Sequence, residues 1–493
     1  MTMNQNFGLE ADAFGLEADA GTLAWIVRAL EGELVSRPVT AHPERRMRAV
    51  TTDSRAVGRG DVFVALSGER HDGHDYVPGA VAAGALAVVV ERETPLPGRP
   101  VGSDGEAVQL VVKSTRRAFG RIARAWRRAR SLPLVAVGGS NGKTTSTQMV
   151  AAILREAFGA GAVHATAGNF NNDIGVPRTL LGLEAAHRAA VVEAGMNHRG
   201  EMAALADMIR PTVALLTNAQ REHQAYLETV AETASENGLL IAALPDEGVA
   251  VFPADDACSD VWTSLSVARG VRATAYSFRK DVSADVRCAL GDDGTLALSG
   301  ALTLCARLSI AGVHNARNAA GAAIAAHAAG APVEAIVRAL EAFQALPGRG
   351  ARECVEAPSG VFTLVDDAYN CNPDSATASL GMLAREKSPR IFLFGDMAEL
   401  GPSSEAWHRE VGEAARRFGV DRFWCAGSPT GALAAAEAFG PGARAFPDRD
   451  ALIAALAELP LDGATVVVKS SHSAGFSRVV EALRAFGRTI AAG

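Results

Sequence analysis

Short apolar segments alternate with helical segments along most of the chain. From Asp61 onward, DVFVAL has the pattern of a strand, YVPGAVAAGA that of a helix and LAVVVE that of the next strand. Strands that alternate with helices are typical of a parallel sheet covered by helices. The pattern therefore predicts an α/β fold.

Changes in the pattern divide the chain into three parts. One boundary falls near Ser131 and Leu132, where the apolar strand PLVAVGG begins, and another near Leu346, in the sequence LPGRG. We therefore predict domains at residues 1–130, 131–346 and 347–493. The strands VFTLVD, RIFLFGD, RFWCAG and TVVVKS indicate that the last domain is small and Rossmann-like. The heptapeptide FGLEADA occurs twice within residues 7–20, and we interpret residues 1–20 as an extension.

Composition narrows the class of protein. The chain has 493 residues, is 48% hydrophobic and carries a net charge of -7, so no global positive field attracts nucleic acid or an anionic membrane. No apolar run approaches the roughly 20 residues of a membrane-spanning helix, and the N-terminus lacks the profile of a secretory signal. The six cysteines form no C-x-x-C pair, which argues against a disulfide framework and a zinc site. We therefore predict a soluble, cytoplasmic enzyme.

One helical segment is strongly basic. Seven arginines lie between Arg116 and Arg130, while Phe119, Ile122 and Trp126 share one face at helical spacing. The segment could bind a membrane surface or nucleic acid, or it could close the first domain with a solvated basic face. We favour the second interpretation because no other basic cluster supports the first.

The clearest local motif predicts a phosphate-binding loop. GGSNGKTTS, from Gly138 to Ser146, follows an apolar strand and precedes the helical stretch MVAAILREAF. Such a turn presents backbone N–H groups and a helix N-terminus to phosphate oxygens. Lys143 is expected to contact the terminal phosphates and Thr144 to bind Mg²⁺. Val137 stands where the strict Walker pattern has a glycine. The shorter motif GSNGKTT, from Gly139, still contains the glycines, the lysine and the threonine that the phosphates and Mg²⁺ need. The nucleotide-binding residues predicted here are Gly139, Ser140, Asn141, Gly142, Lys143, Thr144 and Thr145.

Two further polar residues follow predicted strands. Glu193 ends one strand, and His223 lies in the loop after the strand TVALLTN. Ligands bind at the carboxyl ends of parallel strands in α/β folds, so both are candidates for holding Mg²⁺ near the γ-phosphate. His223 could instead be an ordinary surface histidine, whereas a carboxylate that ends an apolar strand is costly to leave unpaired.

Several motifs in order resemble the Mur ligases, from about Leu23 to the C-terminus. TTDSRAVGRGDVFVAL and GERHDGHDYV, within residues 51–77, look like the UDP-sugar-binding domain of the family, and GSNGKTT resembles its ATP loop. ATAGNFNNDIGVPRTLL, at residues 165–181, is similar to its substrate-contacting segment. EAGMNHRGEM, at residues 193–202, resembles its magnesium strand.

The remaining motifs lie in the last third of the chain. GVHNARNAAGA, at residues 312–322, is similar to the family's adenine-binding motif, and PGRG contains its interdomain arginine. DDAYNCNPDS, at residues 366–375, and FGDMAELG, at residues 394–401, favour the branch that adds D-alanyl-D-alanine.

The resemblance implies an ATP-dependent ligase of bacterial peptidoglycan synthesis. Such enzymes phosphorylate the terminal carboxylate of a UDP-N-acetylmuramoyl-tripeptide, and an incoming amine then attacks the acyl phosphate. The implied substrates are that tripeptide and D-alanyl-D-alanine, the cofactors are ATP and Mg²⁺, and we expect a monomer. Positive groups and metal must neutralise the crowded anions.

The resemblance also implies roles for individual residues. Lys143, His223 and Arg349 are the catalytic candidates, and Asn315 and Asn318 are expected near the adenine. Arg349 and Asp366 are expected to reach the nucleotide across the domain junction. The substrate-binding candidates are Ser54, Arg55, Asp72 and His74 for the UDP-sugar, Thr166, Asn169 and Asn172 for the muramoyl peptide, and Asn370 and Asn372 for the dipeptide.

These polar residues also have plainer explanations. The DDAYNCNPDS segment could simply form a turn and cap the next helix, with Asp374 or Ser375 as the N-cap. Arg349, after Pro-Gly, could be an ordinary hinge charge.

The chain departs from the family at two places. Many relatives carry a lysine after the histidine loop, whose carbamate in some holds a second Mg²⁺, but residues 220–240 contain no lysine. A second metal would need another ligand, for which Glu236 is a candidate. The usual lysine-glycine-serine-arginine near the C-terminus is here Lys469-Ser470-Ser471-His472. Histidine replaces a permanent cation by a group that is mostly neutral at pH 7, so no role is carried over to His472.

Three alternative functions remain open. A sibling ligase that adds a single amino acid would carry an aspartate-asparagine-proline-arginine motif in the C-terminal domain, which this sequence lacks. Folylpolyglutamate synthetase shares the phosphate loop but lacks the TDSR and DGH sequences of the first domain. A nucleotide-gated binding protein would clamp its domains with ATP and carry out no chemistry.

Overall fold

Three β-sheets, each with helices packed on it, make up the described chain. The computed structural model describes residues 19–36, 42–68, 71–96, 107–358 and 360–490. The tandem FGLEADA sequence lies almost entirely outside these residues. Within the described ranges, no helix combines the length and the apolar character needed to cross a membrane.

The N-terminal sheet has four parallel strands. Its elements are α1 (Leu23–Ala29), β1 (Val50–Thr51), β2 (Val62–Val64), α2 (Val77–Ala82), β3 (Ala87–Val90), β4 (Val108–Val111) and α3 (Thr115–Arg128). The strand order is β1-β2-β3-β4. β3 is buried at every position because Ala87 and Val89 pack toward α1 and α3, while Val88 and Val90 pack toward α2.

The central sheet has nine strands and contains the phosphate loop. Its strands are β5 (Leu134–Gly138), β6 (Val163–Ala165), β7 (Ala189–Glu193), β8 (Val213–Leu216), β9 (Val249–Pro253), β10 (Arg272–Ser277), β11 (Val286–Leu290), β12 (Thr295–Gly300) and β13 (Leu304–Arg307). Its helices are α4 (Lys143–Phe158), α5 (Gly175–Leu181), α6 (Glu201–Ile209), α7 (Val230–Ala242), α8 (Ser259–Arg269), α9 (Val313–Ala328) and α10 (Val333–Ala342).

The strand order is β13-β12-β11-β10-β9-β8-β5-β7-β6, which places β5 between β8 and β7. All five residues of β5 are buried because helices cover both faces of the sheet. The carboxyl ends of β5, β7 and β8 therefore lie side by side, which is where the sequence places the phosphate loop, Glu193 and the histidine loop.

An antiparallel extension forms one edge of this sheet. β11 pairs antiparallel with β12, and β12 with β13, whereas β10 and β11 are parallel. Burial alternates along β11 and β13, so each has one face on the core and one toward solvent. The sequence pattern of alternating strands and helices does not predict this extension.

The C-terminal sheet has seven strands in the order β18-β17-β16-β19-β15-β14-β20. Its strands are β14 (Ala351–Ala357), β15 (Gly360–Asp367), β16 (Arg390–Gly395), β17 (Arg422–Ala426), β18 (Ala443–Phe446), β19 (Thr465–Lys469) and β20 (Arg488–Ile490). Its helices are α11 (Pro373–Leu383), α12 (Ser404–Arg417), α13 (Ala432–Phe439), α14 (Arg449–Ala455) and α15 (Ser477–Arg484). The strands β15 to β19 are parallel where they pair, and β14 is antiparallel to both of its neighbours. The three sheets confirm the predicted α/β fold, while the exact domain boundaries stay a prediction.

The basic helix α3 joins the first sheet to the central one. Arg116 donates to Asp173 over 2.8 Å and Arg124 to Asp207 over 2.7 Å, and both acceptors belong to the central region. The Trp126 indole N–H donates to the carbonyl of Leu183 over 3.0 Å. The helix closes the first region, as we favoured, but part of its basic face docks on the central region instead of facing solvent.

We expect Phe423→Ala to destabilise the C-terminal sheet by about 3–5 kcal/mol, because it leaves a large cavity. Phe423 is fully buried and stacks on Phe392, Phe394 and Phe439 with ring centroids 5.1–5.9 Å apart. The free energy of unfolding is measured by native-state hydrogen exchange of the β16 and β17 amides. Val361→Ala is the control, since Val361 is 45% exposed on the same sheet. An equal effect of the two variants would contradict the proposed core.

Candidate active site

A cleft of about 1260 Å³ lies between the central and C-terminal regions, with one wall reaching the N-terminal region at Arg116. It contains the end of β5, the start of α4, the loops after β7 and β8, and the start of α11. The predicted residues that line it are Ser140, Asn141, Gly142, Lys143, Thr144, Thr145, Asn169, Asn172, Glu193, His223, Asn315, Asn318, Arg349 and Asn370. The structure therefore brings together most of the residues predicted for nucleotide and metal.

The phosphate loop needs two glycines because of close neighbours. Gly139 and Gly142 have φ of +116° and +82°, which side chains rarely adopt. A Cβ on Gly139 would lie 2.3 Å from the Thr217 hydroxyl, and one on Gly142 would lie 2.2 Å from the Asn318 amide oxygen. The loop is thus fixed between the end of β8 and the helix α9.

Side chains of the central region hold the first half of the loop. The Gly139 N–H donates to Asn237 Oδ1 over 2.9 Å, and the Asn141 N–H donates to Asn218 Oδ1 over the same distance. The Ser140 N–H donates to the Asn218 carbonyl. The part of the loop that remains available to an anion is the first turn of α4, whose N–H groups have no acceptor within the helix.

The Lys143 ammonium has three close acceptors. It donates to the carbonyls of Gly139 and Ser140 over 2.6 and 2.9 Å and to Glu222 Oε2 over 3.0 Å. An ammonium group has three donors, so a phosphate oxygen that binds Lys143 must replace or share one of these partners. Glu222 is 7% exposed and lines the cleft. It directly precedes His223 in the chain, but it does not appear among the residues predicted from the sequence.

Glu193 has the features of a metal ligand. It ends β7, is 1% exposed, and its Oε1 accepts from the Asn171 side chain over 2.8 Å, while its buried Oε2 has no hydrogen-bond partner among the described residues. Burying a carboxylate oxygen without a partner is costly, and a bound cation would remove that cost. Thr144 is buried at the start of α4 and lines the same cleft. One hydroxyl and one carboxylate fit Mg²⁺, which usually completes its shell with phosphate oxygens and water.

His223 contacts the C-terminal region. Its backbone has φ of +50°, and its Nδ1 lies within hydrogen-bonding distance of Glu399. This contact holds the pKa of the Glu399 carboxyl below its ordinary value. His223 Nε2 is 3.8 Å from Glu222 Oε2, so the imidazole lies between two carboxylates.

Glu236, the candidate for a second metal, accepts the Gly200 N–H over 3.0 Å and thereby supports the loop after β7. Among the residues for which the structure gives positions, no group of three or more His, Cys, Asp or Glu side chains is arranged to hold a metal ion.

Asn315 and Asn318 lie on α9 beside the loop. The Asn315 side chain donates to the carbonyl of Ala311 over 2.7 Å, and Asn318 packs against Gly142. Between them, Arg317 donates two hydrogen bonds of 2.7 and 2.8 Å to the fully buried Asp255 carboxylate at the end of β9. This ion pair lines the cleft, and the sequence analysis did not predict it.

Arg349 stacks on Tyr369 in the C-terminal region. Its guanidinium carbon is 4.3 Å from the centre of the Tyr369 ring, and the ring of His472 lies 5.3 Å from the same tyrosine. A cation over an aromatic face is held by the ring quadrupole. The contact with Tyr369 therefore holds Arg349 at the cleft, so Arg349 is not only an exposed charge in a hinge.

The two aspartates that end β15 have different positions. Asp366 is buried behind the cleft wall, 3.4 Å from Arg484, and burial raises the pKa of its carboxyl. Asp367 lines the cleft, 2.8 Å from the buried ammonium of Lys469. The structure thus brings the neighbour of the predicted Asp366 into the cleft, and Lys469 also donates to the Asn370 carbonyl over 2.9 Å.

Asn372 caps α11 and contacts the phosphate loop. Its Oδ1 accepts from the Ser375 N–H over 2.8 Å, so Asn372 is the N-cap instead of Asp374 or Ser375. The amide groups of Asn372 and Asn141 also exchange two hydrogen bonds of 3.0 and 3.2 Å. Asn372 therefore caps a helix and at the same time contacts the phosphate loop.

The residues predicted for the muramoyl peptide have different surroundings. Asn169 lines the cleft, while Thr166 is buried and its hydroxyl accepts the Glu193 N–H over 3.0 Å. Asn172 lines the cleft and its side chain accepts the Gly175 N–H over 2.9 Å at the start of α5. The sequence analysis missed Asn171, which lies between them and contacts Glu193.

The residues predicted for the UDP-sugar lie outside this cleft, in two short turns of the first region. Ser54 and Arg55 are in the turn that Asp53 caps, and Arg55 pairs with Asp53 over 2.8 Å. His74 is buried, with Nδ1 2.6 Å from Asp72 and Nε2 accepting the Glu91 N–H over 2.9 Å. Both ring nitrogens of His74 therefore have partners within the first region.

Comparisons with known proteins agree with this architecture. Family models match residues 46–127 (Mur ligase family, catalytic domain), 137–326 (Mur ligase middle domain) and 350–472 (Mur ligase, glutamate ligase domain). The chain is 38% identical over 472 residues to the UDP-N-acetylmuramoyl-tripeptide--D-alanyl-D-alanine ligase of Escherichia coli (strain K12), covering 94% of this chain and 99% of that protein. The ligase of the same name from Mycobacterium tuberculosis (strain CDC 1551 / Oshkosh) is 32% identical, covering 94% and 97%.

Solved structures give the same result. A crystal structure of MurF from Acinetobacter baumannii matches with a TM-score of 0.82 and 28% identity, covering 94% of this chain and 98% of that one. MurF ligase from Thermotoga maritima in complex with ADP has a similar fold, with a TM-score of 0.75, 24% identity and coverage of 89% and 97%. Together with the cleft and its phosphate loop, these matches show that the chain belongs to the Mur ligase family.

Proposed function

We propose that this protein joins D-alanyl-D-alanine to UDP-N-acetylmuramoyl-tripeptide at the expense of ATP, giving UDP-N-acetylmuramoyl-pentapeptide, ADP and phosphate. The observation that carries the proposal is the 38% identity to the Escherichia coli ligase of that name over nearly the whole of both chains. The cleft between the phosphate loop and a second α/β region supports the proposal, because it brings charged and polar groups suited to phosphate and carboxylate together. We place the reaction in the cytoplasm, carried out by a monomer.

The central region is proposed to bind ATP. The phosphates would lie against residues 139–145, at the positive end of the α4 dipole, with Lys143 at the terminal phosphate. Asn315 and Asn318 would lie near the adenine. Thr144 and Glu193 would hold Mg²⁺, which neutralises charge on the phosphates. His223 is proposed to lie close to this Mg²⁺ ion and the γ-phosphate.

Two steps account for the products. An oxygen of the tripeptide's terminal carboxylate attacks the γ-phosphorus and ADP leaves, which forms an acyl phosphate. The amine of the dipeptide then attacks the acyl carbon, loses a proton, and phosphate leaves as the amide bond forms. Lys143 and Arg349 are the cations that would stabilise the negative charge that develops in these steps.

The other two regions are proposed to supply the substrates. Ser54 and Arg55 would contact the UDP-sugar directly, while Asp72 and His74 would act through the turn that they hold together. Asn169 and Asn172 are proposed to face the muramoyl peptide, with Thr166 acting through its contact with Glu193, and Asn370 and Asn372 are proposed to face the dipeptide. Arg349 would reach the nucleotide from the C-terminal region, and Asp366 would act through its neighbour Asp367 in the cleft wall. The proposed domains remain residues 1–130, 131–346 and 347–493.

Closure of the cleft would protect the acyl phosphate. Water that reached this intermediate would hydrolyse it, so the two regions must meet around it. The contacts that join Asn141 to Asn372 and His223 to Glu399 span this junction.

The reaction itself is tested by phosphate release from ATP with UDP-N-acetylmuramoyl-tripeptide, with and without D-alanyl-D-alanine. We expect release that depends on the dipeptide and a pentapeptide product identified by mass. Release supported only by a free amino acid would instead indicate a sibling ligase. No release at all would favour a nucleotide-gated binding protein.

We expect Lys143→Ala to lower kcat by at least about 100-fold, because it removes a preorganised cation from the phosphates. Arg155→Ala is the control, since Arg155 is exposed on the same helix. Circular dichroism should show that both variants are folded. Near-normal turnover of Lys143→Ala would overturn the assignment of the nucleotide site.

We expect Glu193→Gln to raise the Mg²⁺ concentration for half-maximal turnover by at least about ten-fold, because a neutral amide replaces the anionic ligand. The variant keeps the shape of the side chain and its contact with Asn171. Glu184→Gln, in an exposed position after α5, is the control. An unchanged Mg²⁺ dependence would show that Glu193 does not hold the metal.

A further inference from the structure

The loop between β8 and α7 contacts both the phosphate-loop lysine and the C-terminal region. Arg221, Glu222 and His223 are consecutive in this loop, and their side chains reach different partners. Glu222 contacts Lys143 within the central region. Arg221 and His223 contact the C-terminal region. Adjacent residues of one loop therefore contact the phosphate-loop lysine and the C-terminal region.

Arg221 makes the most extensive of these contacts. Its guanidinium donates to Asp374 Oδ1 over 2.7 Å and to both oxygens of Glu410 over 2.7 and 3.0 Å. Its backbone N–H donates to Asp374 Oδ2 over 2.8 Å. Asp374 lies in the first turn of α11 and Glu410 on α12, so one arginine holds two helices of the C-terminal region. Hydrogen bonds between charged groups in such fixed geometry are stronger than neutral ones.

Arg221 lies in the surface through which the central region contacts the C-terminal region. Its side chain is 23% exposed, and those of Asp374 and Glu410 are 24% and 41% exposed, so water screens the pair only in part. Next to it, the Ala225 N–H donates to the Glu399 carbonyl over 3.2 Å. Gly401 packs against Ala225 so closely that a Cβ would lie 3.1 Å from the Ala225 Cα. Polar and packing contacts thus meet at one short loop.

Glu222 completes the connection. The Glu222 side chain is 8% exposed. Its carboxylate is the anionic group among the three acceptors of the Lys143 ammonium. Because the Arg221 backbone is itself bonded to Asp374, a displacement of α11 moves the chain one residue before Glu222. The Glu222 carboxylate therefore lies one residue from a backbone hydrogen bond to the C-terminal region and 3.0 Å from the Lys143 ammonium.

We propose that Arg221 is a positioning residue that couples docking of the C-terminal region to the alignment of Lys143 through Glu222. The proposal rests on the proposed ligase function, in which Lys143 contacts the transferred phosphate. Docking holds Glu222 in contact with Lys143, and this contact is one of the three that set the direction of the ammonium. Turnover therefore depends on a residue that touches neither substrate nor ATP.

The test compares Arg221→Gln, Glu222→Gln and the double variant in the full-length protein, with ATP, Mg²⁺, the UDP-linked tripeptide and D-alanyl-D-alanine. We expect Arg221→Gln to lower kcat about ten-fold and to change the KM for the UDP-linked substrate less than two-fold or so. The double variant should be no slower than the slower single variant, because both changes break one connection. Arg221→Lys should recover part of kcat, since it keeps the charge but not the forked geometry.

Arg409→Gln is the matched control. Arg409 lies beside Glu410 on α12 and pairs with Glu405 and Glu437, all within the C-terminal region. Arg409→Gln removes arginine ion pairs from the same helix without changing the junction. The kcat of this variant should therefore match that of the unmodified protein. Equal kcat values for Arg221→Gln and Arg409→Gln, or single effects that multiply in the double variant, would overturn the proposal.

A second measurement separates this proposal from the ligase assignment. Small-angle X-ray scattering reports the docking of the C-terminal region without any turnover, and Arg221→Gln should have a larger radius of gyration than Arg409→Gln. Absence of dipeptide-dependent turnover in the unmodified protein would refute the ligase function, whereas an unchanged radius would refute the docking role. If Arg221→Gln does not fold, Glu410→Gln tests the same contact from the partly exposed side, with the same expected direction in both measurements.

Discussion

The close packing of the phosphate loop is the constraint on which the rest of the site depends. Gly139 and Gly142 leave no space for a Cβ, because Thr217 and Asn318 lie where it would be placed. Asn237 and Asn218 bind the loop amides from the other side. The loop is therefore fixed by β8, α7 and α9 together, with the N-terminus of α4 directed into the cleft. Preorganised groups of this kind need little rearrangement during the reaction.

Charge in the cleft is balanced in pairs. Lys143 contacts Glu222, Lys469 contacts Asp367 and Arg317 contacts Asp255, although the chain as a whole carries a net charge of -7. A buried cation without a partner would be costly, so these carboxylates stabilise the site before anionic ligands enter. We therefore expect phosphate binding to depend on a local exchange of these partners, since the net charge provides no attractive long-range field. Glu193 differs from these paired groups, since one of its buried oxygens has no hydrogen-bond partner in the part of the chain that the structure describes.

Much of the fold could be predicted because its signals are local in sequence. Nearly continuous apolar strands such as β5 and β7, each followed by a helix, indicate buried parallel strands, and their order places Glu193 beside the phosphate loop. The antiparallel strands β11 to β13 also carry a signal, in the alternating residues on either side of GDDG, but short alternation is weak evidence within a parallel pattern. His74 in a family motif suggested a ligand contact, whereas the structure shows that both its nitrogens already have partners.

Contacts across the junction could not be predicted from the sequence, because their partners are far apart in the chain. Arg221 and Asp374 are 153 residues apart, and Asn141 and Asn372 are 231 apart, so neither pair produces a periodic or local pattern. Asn372 illustrates the difficulty, since its sequence context predicts a helix cap and the resemblance predicts a role at the active site. The structure reconciles the two because the cap begins the helix that faces the phosphate loop. Asn372, which caps the N-terminus of α11, is therefore also a residue that joins the C-terminal region to the phosphate loop of the central region.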